Sequence, residues 1–238
     1  MVAFLTAHWL DILTTVLGLA YILLQYRASI WLWAVGFAMQ VLGIVLYYQK
    51  GLYADCGMEF YYLAMTVYGW WNWSTHPIPP EGRVKDLQEE LETSSSSNNT
   101  YDNPPLPSGG DGGGFSHFPL RLAIYWLIGT LIIWAALYTF LATCTDSTVP
   151  LADSFTTALS FVAIWALARK YVETWLIWIA VDVVTCVLYF YKDIPFKASL
   201  YALYVFIAFM GYRKWKRMMG PHPAHPQGEE RKGKRVKR

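Results

Sequence analysis

The residues best suited to bind a small molecule lie in the stretch 52–73, which reads LYADCGMEFYYLAMTVYGWWNW. At 3.6 residues per turn, one helical face of this stretch carries Glu59, Tyr62, Thr66, Gly69 and Trp73. A carboxylate on such a face needs a hydrogen-bonding partner or water, because burying an unpaired charge is costly. No cluster of nucleophile, base and orienting group accompanies it, so the stripe predicts a binding protein and not an enzyme.

The helices that carry this stripe are predicted to span a membrane. Of the 238 residues, 55% are hydrophobic and only 15% are charged, and the apolar residues come in long blocks. About 20 apolar residues suffice to cross a bilayer. Seven segments qualify as spans: 9–26, 30–48, 53–73, 120–142, 152–168, 174–190 and 196–213. The composition therefore predicts an all-α, multi-pass integral membrane protein, with its aromatic residues enriched at the interfaces with the lipid headgroups.

An internal repeat organises these spans. Residues 9–73 align without a gap on residues 151–215. Identical residues in the two copies include Asp11 with Asp153, Thr14 with Thr156, Thr15 with Thr157, Arg27 with Arg169, Trp33 with Trp175, Tyr47 with Tyr189, Tyr62 with Tyr204, Gly69 with Gly211 and Trp73 with Trp215. Three helices are an odd number, so a connector helix at 119–143 is needed to make the copies parallel. The prediction is a 3+1+3 arrangement about an axis along the membrane normal, which is typical of transporters.

The repeat also predicts where a ligand would bind. Gln40 on the second span and Asp182 on the sixth occupy matching depths near the bilayer midplane, where an ionisable group is a functional hypothesis by default. The alternative is that Asp182 only hydrogen-bonds a neighbouring helix. Aromatic faces beside amides, hydroxyls and carboxylates suit a flat, polar, cationic ring that carries a sugar or an alcohol. The candidate binding residues are Gln40, Glu59, Tyr62, Thr66, Trp175, Trp178, Asp182 and Tyr204.

The positive charges predict the orientation. One side of the membrane would carry Arg27, Arg83, Lys85, Arg121, Arg169, Lys170, Arg213, Lys214 and the basic tail at 216–238, whereas the other would carry only Lys50, Lys192 and Lys197. The richer side is expected to be cytoplasmic, so the amino terminus is periplasmic and the carboxyl terminus cytoplasmic. Because no Lys or Arg precedes Arg27, the first span is expected to remain in the mature protein. The tail is expected to touch anionic lipid and not nucleic acid.

Segment 74–118 differs from the rest of the chain in composition. It contains prolines, the serine run 94–97 and the glycine-rich stretch 109–114, and it cannot bury a core. It is predicted to be a disordered cytoplasmic linker, with a spacer role favoured over docking. The three cysteines lack metal-ligand spacing and are expected to be small apolar fillers, although a bridge between Cys56 and Cys144 stays open. No metal or cofactor is expected.

Two motifs resemble the PnuC family of nicotinamide riboside transporters. The first is the third span, which begins with Tyr-Ala-Asp at 53–55 and ends with Tyr68–Trp73. The second is the segment Lys170–Trp178, which precedes Asp182. The resemblance implies seven helices in a 3+1+3 arrangement, a homotrimer in the bacterial inner membrane, and facilitated diffusion of an unphosphorylated NAD precursor that is trapped by cytoplasmic phosphorylation.

The chain departs from the family pattern at two places. Met58-Glu59 stands where the family usually has Leu-Gln, and Gln40 stands in a span that is usually rich in asparagine. Since related branches carry thiamine or riboflavin, these vitamins are the alternatives to nicotinamide riboside. A seven-helix receptor is a more distant alternative, which the repeat disfavours.

Overall fold

The computed structural model describes residues 2–49, 53–78, 114–145, 149–191 and 195–219, and within them all side chains except those of residues 2–12, 14, 53–55, 195 and 196. These ranges contain seven helices: α1 (Val2–Tyr26), α2 (Trp31–Gln49), α3 (Tyr53–Thr75), α4 (Leu120–Cys144), α5 (Pro150–Ala168), α6 (Thr174–Tyr191) and α7 (Pro195–Met218). The all-α prediction is confirmed, and each predicted span coincides with one of these helices, the second span beginning one residue before α2.

The helices differ in how apolar they are. Among the described residues, α2, α4, α5 and α6 are long and apolar enough to cross a membrane by length and composition alone, and α1 contributes a shorter apolar stretch at Thr15–Tyr26. The helices α3 and α7 are not among them: α3 contains Glu59, Asn72 and several tyrosines and tryptophans, and α7 contains Lys197 and a basic last turn. The expectation of seven spans therefore goes beyond what hydropathy supports for these two helices.

The two copies of the repeat pack their tryptophans in the same way. In the first copy Trp33 meets Trp73 edge to face at 5.6 Å between ring centroids, with an interplanar angle of 83°. In the second copy Trp175 meets Trp215 at 5.3 Å and 83°. The glycines at 69 and 211 leave room for these indoles, because a Cβ on Gly211 would lie 2.6 Å from the ring of Trp175. The repeated residues thus form a repeated helix contact.

The turn between the first and second helices of each copy is repeated as well. Ala28 and Lys170 occupy equivalent positions and both have left-handed backbones, with φ of 53° and 62°. The N–H of Ala28 donates to the carbonyl of Gln25 at 2.9 Å, and that of Lys170 donates to Leu167 at 3.0 Å. Together with the bonds of the following residues, they close a Schellman motif after each helix. The parallel arrangement of the two copies about a common axis stays a prediction.

Both copies meet in a tryptophan cluster formed by Trp33, Trp73, Trp175 and Trp215, each at most 3% exposed. Trp73 and Trp215 join the copies at 6.1 Å between ring centroids. The cluster lies at the end of the bundle that carries the exposed Arg27, Arg169 and Arg213, which we call the basic end. It is part of a hydrophobic core that also includes Leu32, Phe115 and Leu167.

The last residues of the predicted linker pack against this cluster. Phe115 is 1% exposed and stacks on Trp215 at 4.1 Å. The backbone of Ser116 pairs with that of Tyr171 as an isolated parallel bridge. The carboxylate of Glu173 accepts hydrogen bonds from Nδ1 of His117 at 2.7 Å and from the N–H of Phe118 at 3.0 Å. Residues 114–118 therefore belong to the folded core, which composition alone did not indicate; residues 79–113 lie outside the described part of the chain.

Lys170 is buried, although the sequence analysis counted it among the charges that face the cytoplasm. Its side chain is 3% exposed and Nζ donates to the carbonyl oxygen of His76. Burial lowers the pKa of Lys170 to about 8. The orientation argument therefore depends on the exposed arginines of the basic end. The residues Lys50, Lys192 and 220–238, which the same argument used, lie outside the described residues.

The three cysteines are free in the structure, so the bridge left open between Cys56 and Cys144 is not formed. Cys56 is buried, with Sγ 3.8 Å from the carbonyl oxygen of Ile44. Cys186 makes the reverse contact at the same two positions of the second copy, with Sγ 3.3 Å from the carbonyl oxygen of Ala198, the counterpart of Cys56. Both act as small packing residues between neighbouring helices.

Candidate functional site

A cavity of about 330 Å³ lies between α3, α5, α6 and α7. The helix α5 lines it with residues of its first half and α6 with residues from Trp178 to Tyr189, whereas α3 and α7 contribute Tyr62 and Tyr201. The tryptophan cluster lies at the other ends of these helices. The cavity is therefore placed away from the basic end, beyond a layer of packed indoles.

The α5 wall of the cavity presents hydrogen-bond acceptors. It consists of Asp153, Thr156, Thr157 and Ser160. The hydroxyl of Thr157 donates to the carbonyl of Asp153 at 2.8 Å, and that of Ser160 donates to the carbonyl of Thr156 at 2.8 Å. Hydroxyls that donate their proton to their own helix keep only acceptor capacity for a ligand. This wall is thus complementary to a ligand rich in N–H and O–H donors.

Two carboxylates give the cavity its charge. Asp182 on α6 is only 6% exposed, and Asp153 lies in the first turn of α5, where the helix dipole favours a negative charge. Because water is largely excluded from Asp182, a cation beside it would be bound more strongly than at an open surface. The electrostatics of the cavity therefore favour a positively charged ligand.

Aromatic side chains supply flat surfaces and one donor. Tyr189 and Tyr201 stack at 5.4 Å with an interplanar angle of 22°. Tyr62 lies within hydrogen-bonding reach of Ser160 and packs against Phe161 at 5.7 Å. The buried Nε1 of Trp178 has no hydrogen-bonding partner among the described residues. A planar ligand would stack against these rings, and an acceptor outside its planar ring or a water molecule would satisfy this donor.

Three of the eight predicted binding residues line the cavity: Tyr62, Trp178 and Asp182. The other five are not among its lining residues. Trp175 is fully buried under Gly211, and Thr66 is buried against Gly36. Glu59 packs against Gly43, and Tyr204 directs its hydroxyl toward Gly18 on α1. Gln40, the counterpart of Asp182, is partly buried on α2.

None of the four residues of the α5 wall was among the predicted binding residues, although the sequence contains a signal for them. Asp153, Thr156 and Thr157 are identical to Asp11, Thr14 and Thr15 in the repeat. Polar side chains that recur in both copies at the start of an apolar span are not needed to anchor a helix in lipid, so their recurrence marks a polar environment. The side chains of Asp11 and Thr14 lie outside the described residues.

Comparison with known proteins places the chain in a family. Residues 8–217 match the model of the nicotinamide mononucleotide transporter family. The nicotinamide riboside transporter PnuC of Escherichia coli strain K12 is 26% identical over 219 residues, covering 87% of this chain and 84% of that protein. The riboflavin/roseoflavin transporter RibM of Streptomyces davaonensis is 26% identical over 215 residues, with the same coverage.

A solved structure shows the same fold. The crystal structure of the vitamin B3 transporter PnuC superimposes with a TM-score of 0.62 over 91% of this chain and 84% of that one, at 18% sequence identity. Several apolar helices and a polar cavity within the bundle are the features expected of a multi-pass membrane transporter. The chain belongs to the nicotinamide mononucleotide transporter family, which confirms the resemblance to PnuC. Its named relatives are transporters and not enzymes.

Proposed function

We propose that the protein carries nicotinamide riboside across the bacterial inner membrane by facilitated diffusion, and that phosphorylation in the cytoplasm traps the vitamin. The observation that carries this proposal is the pairing of Asp182 and Asp153 with the acceptor wall of α5 in one cavity. Nicotinamide riboside is a pyridinium cation with a carboxamide and sugar hydroxyls. Its charge and its donors complement that wall.

Riboflavin and thiamine are the other candidate substrates. The relatives named for nicotinamide riboside and for riboflavin are equally similar to this chain, at 26% identity. Riboflavin is neutral and would leave the carboxylates of the cavity without a compensating charge, which disfavours it. Thiamine is a cation but lacks the ribose hydroxyls that the α5 wall would bind. The chemistry of the cavity therefore favours nicotinamide riboside.

Transport in proteoliposomes tests this function. Among the described acids Asp182 is buried and Glu59 has one buried carboxylate oxygen, and these two acids do not make a chain of carboxylates between the two ends of the bundle. We therefore expect radiolabelled nicotinamide riboside to equilibrate across the membrane without accumulating. Excess unlabelled nicotinamide riboside should compete strongly and riboflavin weakly. Accumulation that collapses when an ionophore is added would contradict facilitated diffusion, and stronger competition by riboflavin would contradict the substrate.

Trp178 is expected to stack on the pyridinium ring. A contact between a cation and an aromatic face is worth roughly 1 to 2 kcal/mol when it is desolvated. Trp178→Ala should therefore raise the dissociation constant for nicotinamide riboside about tenfold in calorimetric titration, because about 1.4 kcal/mol is a factor of ten. Trp178→Phe should retain part of the affinity. Leu176→Ala on the exposed face of the same helix is the control and should bind like the parent; unchanged affinity in Trp178→Ala would place the ligand elsewhere.

The orientation is proposed from the charges of the basic end. With Arg27, Arg169 and Arg213 exposed there, we place this end in the cytoplasm and the amino terminus in the periplasm. Alkaline phosphatase inserted at residues 94–97 should then be inactive. Alkaline phosphatase fused with its export signal to the amino terminus should be active. The reverse pattern would invert the topology. The resemblance to PnuC further supports a homotrimer, which light scattering of the purified protein in detergent would measure.

A further inference from the structure

The two copies of the repeat meet along two seams at the basic end. At seam A the end of α3 in the first copy meets the end of α5 in the second. At seam B the end of α7 in the second copy meets the end of α1 in the first. Because 9–73 aligns without a gap on 151–215, each contact in one seam has a counterpart in the other. The two seams can therefore be compared contact by contact.

Seam A is closed by hydrogen bonds. Nδ2 of Asn72 donates to the carbonyl oxygen of Ala168 at 2.9 Å, and Nε1 of Trp73 donates to that of Leu167 at 3.3 Å. Lys170 donates to the carbonyl oxygen of His76. Further along the same seam, Arg169 donates to the hydroxyl of Tyr68 at 3.2 Å, and the hydroxyl of Tyr61 donates to the carbonyl oxygen of Phe161 at 3.0 Å.

The counterparts of these bonds are missing at seam B. The counterpart of Trp73 with Leu167 is Trp215 with Gln25, where Nε1 of Trp215 and Nε2 of Gln25 are buried and have no hydrogen-bonding partner among the described residues. The counterpart of Asn72 with Ala168 is Lys214 with Tyr26, a contact of Nζ with the ring at 4.6 Å to its centroid.

Two further counterparts at seam B cannot make the bonds of seam A at all. Met210 replaces Tyr68 opposite Arg27, and a Leu203–Leu19 pair replaces Tyr61 with Phe161. Nε1 of Trp33 and of Trp175 also lacks a partner, but these two residues are equivalent and do not distinguish the seams. The closed seam B therefore leaves Nε1 of Trp215 and Nε2 of Gln25 without hydrogen bonds, whereas the donors of the closed seam A all have acceptors.

We propose that the basic end opens along seam B, between α1 and α7, and that seam A is the hinge. Opening seam A would break five hydrogen bonds, and bonds to water would at best compensate for their loss. Opening seam B would let water accept hydrogen bonds from Nε1 of Trp215 and Nε2 of Gln25, which lack a partner among the described residues when the seam is closed. This gain favours opening, because a buried donor without a partner has a higher free energy than a hydrated one. The free energy of opening is therefore lower at seam B.

The end of the linker does not oppose this motion. Phe115 and His117 join Trp215 on α7 to Glu173 in the turn between α5 and α6. All of these partners belong to the second copy, so the contact crosses neither seam. A ligand that leaves the cavity toward the basic end would accordingly pass beside α1 and α7, through the space that the opening of seam B creates.

Thiol labelling tests the proposal without any substrate. Gln25→Cys at seam B and Leu167→Cys at seam A are counterparts of each other, and their parent residues are 3% and 0% exposed. Both are made in a chain whose native cysteines are replaced by alanine, and both are checked for folding by size exclusion. A water-soluble maleimide should react with residue 25 roughly tenfold faster or more than with residue 167, because local opening hydrates only seam B. Equal rates, or faster reaction at residue 167, would overturn the proposal.

Reversible cross-linking of cysteine pairs across each seam tests the same proposal by measuring the transport rate. This second experiment rests on the proposed function. The pairs are Tyr26→Cys with Lys214→Cys across seam B, and Ala168→Cys with Asn72→Cys across seam A. Bridging with a short bis-methanethiosulfonate should lower the nicotinamide riboside transport rate roughly tenfold or more for the seam B pair, with recovery on reduction, and should leave the seam A pair within about twofold. A block at seam A, or continued transport with seam B bridged, would overturn the proposal. If no unbridged variant transports the vitamin, the proposed function fails while the labelling result still decides the seams.

Discussion

Asp182→Asn is expected to weaken the binding of nicotinamide riboside roughly a hundredfold. The carboxylate is 6% exposed and lines the cavity, so it can interact with a bound cation under little screening. Two unit charges about 6 Å apart at an effective dielectric constant of about 20 attract by about 2.8 kcal/mol, which is about two factors of ten in affinity. Calorimetric titration of the purified protein with the vitamin measures this loss.

A neutral ligand separates charge from shape. Reduced nicotinamide riboside has nearly the same shape without the positive charge, and Asp182→Asn should change its affinity by less than about threefold. Val183→Ala, on the exposed face of α6 next to Asp182, is the matched control, because the side chain of Val183 does not line the cavity. Equal losses for both ligands would show that Asp182 acts as a hydrogen bonder between helices, the alternative that the sequence left open.

Gly69→Ala is expected to be the most destabilising single-methyl change in α3. A Cβ at this position would lie 2.5 Å or closer to three ring atoms of Trp33, which is fully buried and cannot move aside. Overpacking of a filled core costs up to about 3 kcal/mol. For a chain of this size that cost corresponds to a drop of roughly 10 °C in the midpoint of thermal unfolding, as measured in detergent by intrinsic fluorescence.

The same helix provides the control for this change. A Cβ on Gly57 would meet nothing within 4 Å, so Gly57→Ala should leave the midpoint unchanged or raise it, since alanine is favoured over glycine in a helix by about 1 kcal/mol. Gly211→Ala, the counterpart in the second copy, should behave like Gly69→Ala because its Cβ would lie 2.6 Å from Trp175. Equal midpoints for the variants at 57 and 69 would mean that the close approach of α2 and α3 is not what holds the first copy together.

The sequence by itself determined the helices, the repeat and the family. Long apolar blocks must form helices in lipid, since every backbone group has to be satisfied within its own segment. The recurrence of Trp33 and Gly69 as Trp175 and Gly211 identified the repeat, and the structure then showed that these residues form the same packing contact in both copies. Asp182 and Trp178 could be identified because a carboxylate among apolar residues is costly without a function.

Only the tertiary structure decided which polar faces meet in the cavity. Helical periodicity sets the phase of a side chain around its own axis, but the neighbouring helix that covers this face is set by packing between elements distant in sequence. Glu59 and Tyr62 share one stripe of α3, yet Glu59 packs against Gly43 while Tyr62 reaches the cavity beside Ser160. The difference between the seams also appears only in the tertiary structure. In the sequence Trp73 and Trp215 are identical residues at equivalent positions, but in the structure Nε1 of Trp73 donates to the carbonyl of Leu167 and Nε1 of Trp215 has no partner among the described residues.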